Sequence, residues 1–159
     1  MIVVADAGPL RYLVLIGHIQ VLGRLFDRVL IPDAVATELA NTRTPEPVKQ
    51  WMARRPDWVE VCAPPPIHLY APDLDEGERQ AIELARYLKI SLILIDDAGG
   101  RLEARSCGLG VLGTVGILER AAQLGILDFA PAFAELEKTN FHMSTSFRQL
   151  IRERHHLDP

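Results

Sequence analysis

The chain has 159 residues, the size of one ordinary domain with one buried core. With 48% hydrophobic and 24% charged residues, it is too apolar to stay disordered and too evenly mixed to be a membrane protein. The net charge of −4 argues against coating nucleic acid through bulk positive charge, yet not against a nucleic-acid enzyme, since a carboxylate-lined metal site subtracts charge when empty.

The amino-terminal MIVVADAGPL has no basic region before its apolar residues and no run long enough to span a bilayer, so the expectation is a cytoplasmic protein. IVVA, apolar and mostly β-branched, predicts a strand covered on both faces, with Asp6 directly after it. Pro9 suits the first turn of a helix, and LRYLVLI continues it to Gly17. IQVLGRLF predicts a second short helix and RVLI a brief strand. Pro32 opens a helix over DAVATELA, whose Val35 and Leu39 lie four apart. Residues 41–47 are polar and proline-containing and read as loop. VKQWMARR then predicts a helix, WVEVC an edge strand, and APPP no regular structure.

The next helix is the clearest, with Ala81, Ile82, Ala85 and Leu88 repeating at three- and four-residue steps. SLILI predicts a buried strand ending at the adjacent pair Asp96 and Asp97. A helix to about Arg105, a GVL strand and a helix from about Val115 to Leu124 follow, stopped by Gly125. Two further helical stretches, PAFAELEK and STSFRQLIRERHH, complete the chain. Strands alternating with helices predict a three-layer α/β/α fold with a mostly parallel central sheet.

In such folds, ligands collect beyond the carboxyl ends of the strands, where Asp6 and the pair Asp96 and Asp97 fall. If those strands are neighbours, three carboxylates meet at one rim, a donor set suited to Mg²⁺ or Mn²⁺. Glu78 has two readings. With Asp75 it has the spacing of a capping box, yet it also lies on the inward stripe of its helix, where a charge is either a cap or a ligand. Glu38 stands at the edge of an apolar stripe and, taken alone, reads as surface. Asp97 is a natural cap for the following helix and an i,i+4 partner for Arg101, so one member of the aspartate pair is structural while the other does chemistry. Thr114 places a hydroxyl near the same rim, with the N-cap of its helix as the simpler reading.

Other features carry less. Cys62 and Cys107 stand far apart with no CxxC pairing and read as core or near-core thiols. GLGVLG, residues 108–113, matches a dinucleotide-turn pattern but follows a helix, so Gly108 reads as a helix end. His155 and His156 are adjacent and near the chain end, and no Ser-His-Asp or Cys-His constellation is present. Arg11, Arg24, Arg28, Lys49, Arg54, Arg55, Arg148, Arg152 and Arg154 are candidates for a basic face, though scattered solvated side chains are the simpler reading.

VVADAGPL, VLIPDAVATEL, LDEGERQAIELA, LILIDDAGGRLEA and GVLGTVGILERAAQLGIL, in this order and spacing, resemble the PIN-domain family and in particular its branch of VapC-like toxin nucleases from toxin–antitoxin operons. The resemblance runs over about residues 2–128 and implies a single PIN-like domain over 1–159, with C-terminal helices over 130–156. It implies a Mg²⁺- or Mn²⁺-dependent ribonuclease acting on RNA, restrained by a small antitoxin protein and expected as a homodimer. Carried over by motif, Asp6 is the first acid, Glu38 the second, Glu78 the third, and Asp96 or Asp97 the fourth, with Asp6, Glu38, Glu78 and Asp96 as metal ligands and Asp97 as substitute or support. The family pattern has Thr or Ser in the two positions after the first Asp, as in DTSPL, where this chain has Ala7 and Gly8. That departure favours a rival reading, a PIN-like protein- or RNA-binding module without turnover. A phosphate-accepting signalling domain is a third possibility, but its acidic pair would follow the first strand, and here the pair comes late.

Overall fold

The computed structural model describes residues 1–158; the final residue of the expected 1–159 domain lies outside them. The chain forms two compact units, Met1–Thr114 and Val115–Pro159. The first holds a five-stranded parallel sheet in the order β3-β2-β1-β4-β5, flanked by helices as the strand–helix alternation predicts. Its strands are β1 (Ile2–Ala5), β2 (Arg28–Pro32), β3 (Val59–Cys62), β4 (Leu92–Leu94) and β5 (Gly110–Leu112).

The chain starts in the middle of the sheet. It builds β2 and β3 to one side and then crosses back to lay β4 and β5 on the other, so the winding direction reverses between β1 and β4. Those two strands pair directly, with Val4 opposite Ile93 and Ala5 opposite Leu94. Beyond their paired ends the Asp6 amide donates to the Leu94 carbonyl at 2.9 Å. WVEVC is indeed an edge strand, paired with β2 alone.

The connecting helices are α1 (Ala7–Leu15), α2 (Val21–Leu25), α3 (Asp33–Leu39), α4 (Glu46–Ala53), α5 (Glu76–Tyr87) and α6 (Ala98–Ser106). The α5 helix lies over the sheet against β1, β2 and β4 and also packs on α3. Its Ala81, Ile82 and Ala85 are fully buried together with Val4, Ile93 and Ile95, so its apolar stripe is a main wall of the core. Cys62 and Cys107 are partly buried against this same cluster.

Three elements differ from the sequence expectation. Pro47 belongs to the first turn of α4 rather than to a loop, a position where its missing N–H costs nothing. Leu88 is not on the buried stripe: it is the C-cap of α5 and 43% exposed, and Lys89 after it turns the chain left-handed at φ +57°. The α2 helix is only five residues, and its Gly23 lies where a side chain would strike the Trp58 indole.

In the second unit, α7 (Thr114–Gln123) opens on the last residue of the first unit and is followed by α8 (Phe129–Glu137) and α9 (Thr145–Arg154). Phe129 stacks on Phe133 and on His155, whose Nε2 lies 2.7 Å from Glu119 Oε2. His155 thus has a structural use. Among the described residues, no helix is long and apolar enough to cross a membrane.

Candidate active site

A cleft of about 630 Å³ opens at the carboxyl edge of the sheet, where the winding reverses. This is where parallel α/β sheets leave room for ligands, because the connections diverge to opposite faces. Four separate segments bring its acids. Asp6 comes from the end of β1, Glu38 from the end of α3, Asp75 and Glu78 from the start of α5, and Asp96 and Asp97 from the β4–α6 turn. All five acids expected from sequence therefore line one cleft, and Asp75 makes a sixth.

Each acid is held differently. Asp6 occupies the N-cap position of α1, yet its side chain makes no capping bond. It is 8% exposed. Asp75 and Glu78 form a complete capping box: Asp75 Oδ1 accepts from the Glu78 amide at 2.7 Å, and Glu78 Oε2 accepts from the Asp75 amide at 3.3 Å. The two readings of Glu78 are thus not exclusive, since one residue both caps α5 and borders the cleft. Glu38 sits on an exposed stretch of α3 whose end is tied down by Thr44, its Oγ1 donating to the Glu38 carbonyl at 2.8 Å. At the other end of α3, no side chain of its own caps the helix, and Gln80 of α5 accepts from the Ala34 amide at 3.1 Å. This long-range cap fixes α3 against α5, and with it Glu38 relative to Glu78.

The adjacent aspartates divide their work. Asp97 caps α6, with Oδ2 accepting from the Gly100 amide at 3.0 Å. Asp96 accepts twice from Thr114, Oδ1 from the amide and Oδ2 from the hydroxyl, both at 2.7 Å. Two expectations are corrected here. Thr114 is not an N-cap but the first residue of α7, fully buried, with its hydroxyl spent on Asp96. Among the described ion pairs none joins Asp97 to Arg101; the charge of Arg101 acts on Asp96 instead. Gly8 and Gly113 leave space for the same carboxylate, a Cβ on either falling 3.1 Å and 2.9 Å from its oxygens. A serine at position 8 would bring its Cβ against the carboxylate that Thr114 already grips.

The electrostatics follow from crowding. Burial pushes the Asp6 carboxyl up to about 8, with Asp75, Glu78 and Glu38 adding to the rise while the Ala7 amide opposes it. Burial, then Asp75 and Asp97, push Glu78 up to about 7. Glu38 is raised by burial and Asp75 and eased down by Arg11, and Asp96 is raised by burial against the pull of Thr114 and Arg101. Such a cluster is short of positive charge.

The chemistry of the donors fits a hard divalent cation, which takes oxygen ligands and keeps several waters. Among the described residues, no three His, Cys, Asp or Glu side chains are close enough to form a ready-made cage. Arg11, Tyr12, Asn41, Arg43 and Thr44 complete the lining. Sequence reading missed their placement, along with that of Asp75. A signal for two of them exists in retrospect: Gly8, Arg11 and Tyr12 stand at i, i+3 and i+4 and share a face of α1, opposite its buried Leu10 and Leu13.

Comparison with known proteins gives a consistent picture of the fold. A family model described as a PIN domain matches residues 2–156. A PilT N-terminus domain protein from the hyperthermophilic archaeon Sulfolobus solfataricus P2 is similar in structure, with a TM-score of 0.54 and 16% sequence identity over 90% of this chain and 100% of the other. No curated protein matches the sequence.

Proposed function

We propose that this chain, which belongs to the PIN domain family, is a metal-dependent endoribonuclease and the toxin of a VapC-like toxin–antitoxin pair. The observation that carries the reading is the acidic cleft at the reversal of the sheet, where burial and mutual repulsion raise Asp6 and Glu78 far above ordinary carboxylates. Asp6, Glu38, Glu78 and Asp96 are the residues that would hold Mg²⁺ or Mn²⁺. A divalent ion bound among them would supply a water acidic enough to attack phosphorus at neutral pH and a counter-charge for the departing oxygen. The chain's own contribution is to give up the protons of Asp6 and Glu78, to aim Asp96 through Thr114, and to keep Asp97 on the helix cap as support. RNA is the substrate, and a small antitoxin and a second copy of the chain are the expected partners.

One observation favours a second reading, an inactive protein- or RNA-binding module: the acids share the cleft without forming a ready-made cage. The two separate in one experiment. A mixed labelled RNA pool is incubated with the protein in Mg²⁺, in Mn²⁺ and in chelator, beside folded Asp6→Asn and Glu78→Gln variants. Metal-dependent cleavage that falls by at least about a hundredfold in both variants is the expected result. Absence of cleavage, together with Mn²⁺ binding that does not depend on Asp6, would leave the binding module as the better account.

A further inference from the structure

Among the described residues six carboxylates line the cleft and two cations, Arg11 and Arg43. Arg11 projects from the same face of α1 as Gly8, close enough to Glu38 for its charge to draw that carboxyl down. An arginine present only to neutralise acids would close onto one of them. Arg86 does so with Glu83 and Arg152 with Glu137, each at 2.9 Å. Arg11 does not: among the described residues no ion pair or hydrogen bond engages its guanidinium, and its Nε is buried with no partner. Arg43, on the exposed loop beyond α3, likewise enters no described ion pair, although its backbone amide is fixed by Asn41 Oδ1 at 2.9 Å.

A guanidinium with its donor fork open, beside a site whose other groups repel anions, matches a phosphodiester, whose two non-bridging oxygens accept in the same plane. We propose that Arg11 is the phosphate-binding residue of this cleft and that Arg43 contacts a neighbouring phosphate of the same RNA strand. The assignment rests on the ribonuclease reading and explains how a polyanion enters a pocket lined mainly by carboxylates.

The test is fluorescence anisotropy of a short labelled RNA of mixed sequence, with Ca²⁺ in place of Mg²⁺, between about 50 and about 200 mM salt. Arg11→Ala is expected to weaken binding about tenfold and to lower the salt slope by about one phosphate contact. Arg11→Lys should recover part of the loss, because an ammonium restores charge without the planar fork. Arg43→Ala should produce a smaller loss of the same kind. Mn²⁺ affinity of Arg11→Ala should be no weaker than that of the parent protein, since a positive charge beside Glu38 is gone, and its melting temperature should match. RNA affinity and salt slope unchanged in Arg11→Ala would overturn this assignment while leaving the ribonuclease reading in place. A loss of Mn²⁺ affinity or a lowered melting temperature would also overturn it, making Arg11 a scaffold for the acids. Failure of the parent protein to bind RNA at any salt would overturn the ribonuclease reading, and this assignment with it.

Discussion

Thr114 shows how much of the cleft depends on one side chain that carries no charge. It is fully buried and spends both its amide and its hydroxyl on Asp96, whose carboxyl burial would otherwise raise further. Thr114→Val keeps the shape and removes the hydroxyl. It should cost about 1–2 kcal/mol in urea unfolding, because a buried oxygen loses its donor. Cleavage should fall at the same time, whereas Thr114→Ser should restore most of both. Four of the acids were legible in the sequence because each follows a strand or opens a helix, as with Asp6 after IVVA and Glu78 in its capping box, whereas Glu38, near the end of α3, was legible only through the family resemblance. Arg11 was legible only as one of several scattered basic residues, and Asp75 only as half of a capping box. Their presence in the cleft depends on how α1 and α5 approach, which no local pattern encodes. Thr114 was misjudged by a single residue, since α7 begins one position earlier than its apolar run.

Among the elements, α5 was plain from its periodicity, whereas the sheet order was not legible: that β1 and β4 are neighbours stood only as a condition, because no strand's own residues name its partner. The weakest reading was at Pro47, where composition resembles a loop although proline fits a first turn. What positions the cleft is less regular structure than the junctions between elements, and glycines mark the tight ones. Gly113 joins β5 to α7, and a Cβ there would lie 2.9 Å from Asp96 Oδ1, an atom already pinned by the Thr114 amide. Because that oxygen cannot swing away, Gly113→Ala should destabilise by about 1–3 kcal/mol, as overpacking does. It should also depress cleavage more than an alanine at Gly99, which would meet only one capping oxygen at 3.2 Å and a leucine methyl at 3.9 Å. Denaturant midpoints and single-turnover rates measured on both variants decide it.

At the scale of the whole molecule, the crowded acids make stability depend on pH in an unusual direction. Asp6 and Glu78 have folded values of about 8 and about 7, above the ordinary 3.8 and 4.5 of the unfolded chain. The folded protein therefore binds more protons than the unfolded chain across this interval. The stability they contribute is fully present below about pH 4 and is lost as pH rises through about 7 to 8. Metal-free protein should melt at a lower temperature at pH 8.5 than at pH 6, and Asp6→Asn should flatten that slope. At a fixed concentration Mn²⁺ should restore the difference, with the larger gain at the higher pH where its affinity is greater, reaching about 2.7 kcal/mol wherever it stands at a hundred times its dissociation constant. Calorimetry at two pH values, with and without Mn²⁺, would expose a wrong sign at once. The composition had indicated only a mildly acidic protein; that the charge is concentrated at one edge of the sheet emerges from the return of the chain to β4. The same return sets an order in time. Because Asp6 is made first and Thr114, which aims Asp96, is the last residue of the first unit, a chain still being synthesised lacks a complete cleft until residue 114 has left the ribosome. A fragment ending earlier would carry Asp6, Glu38 and Glu78 but not the grip on Asp96.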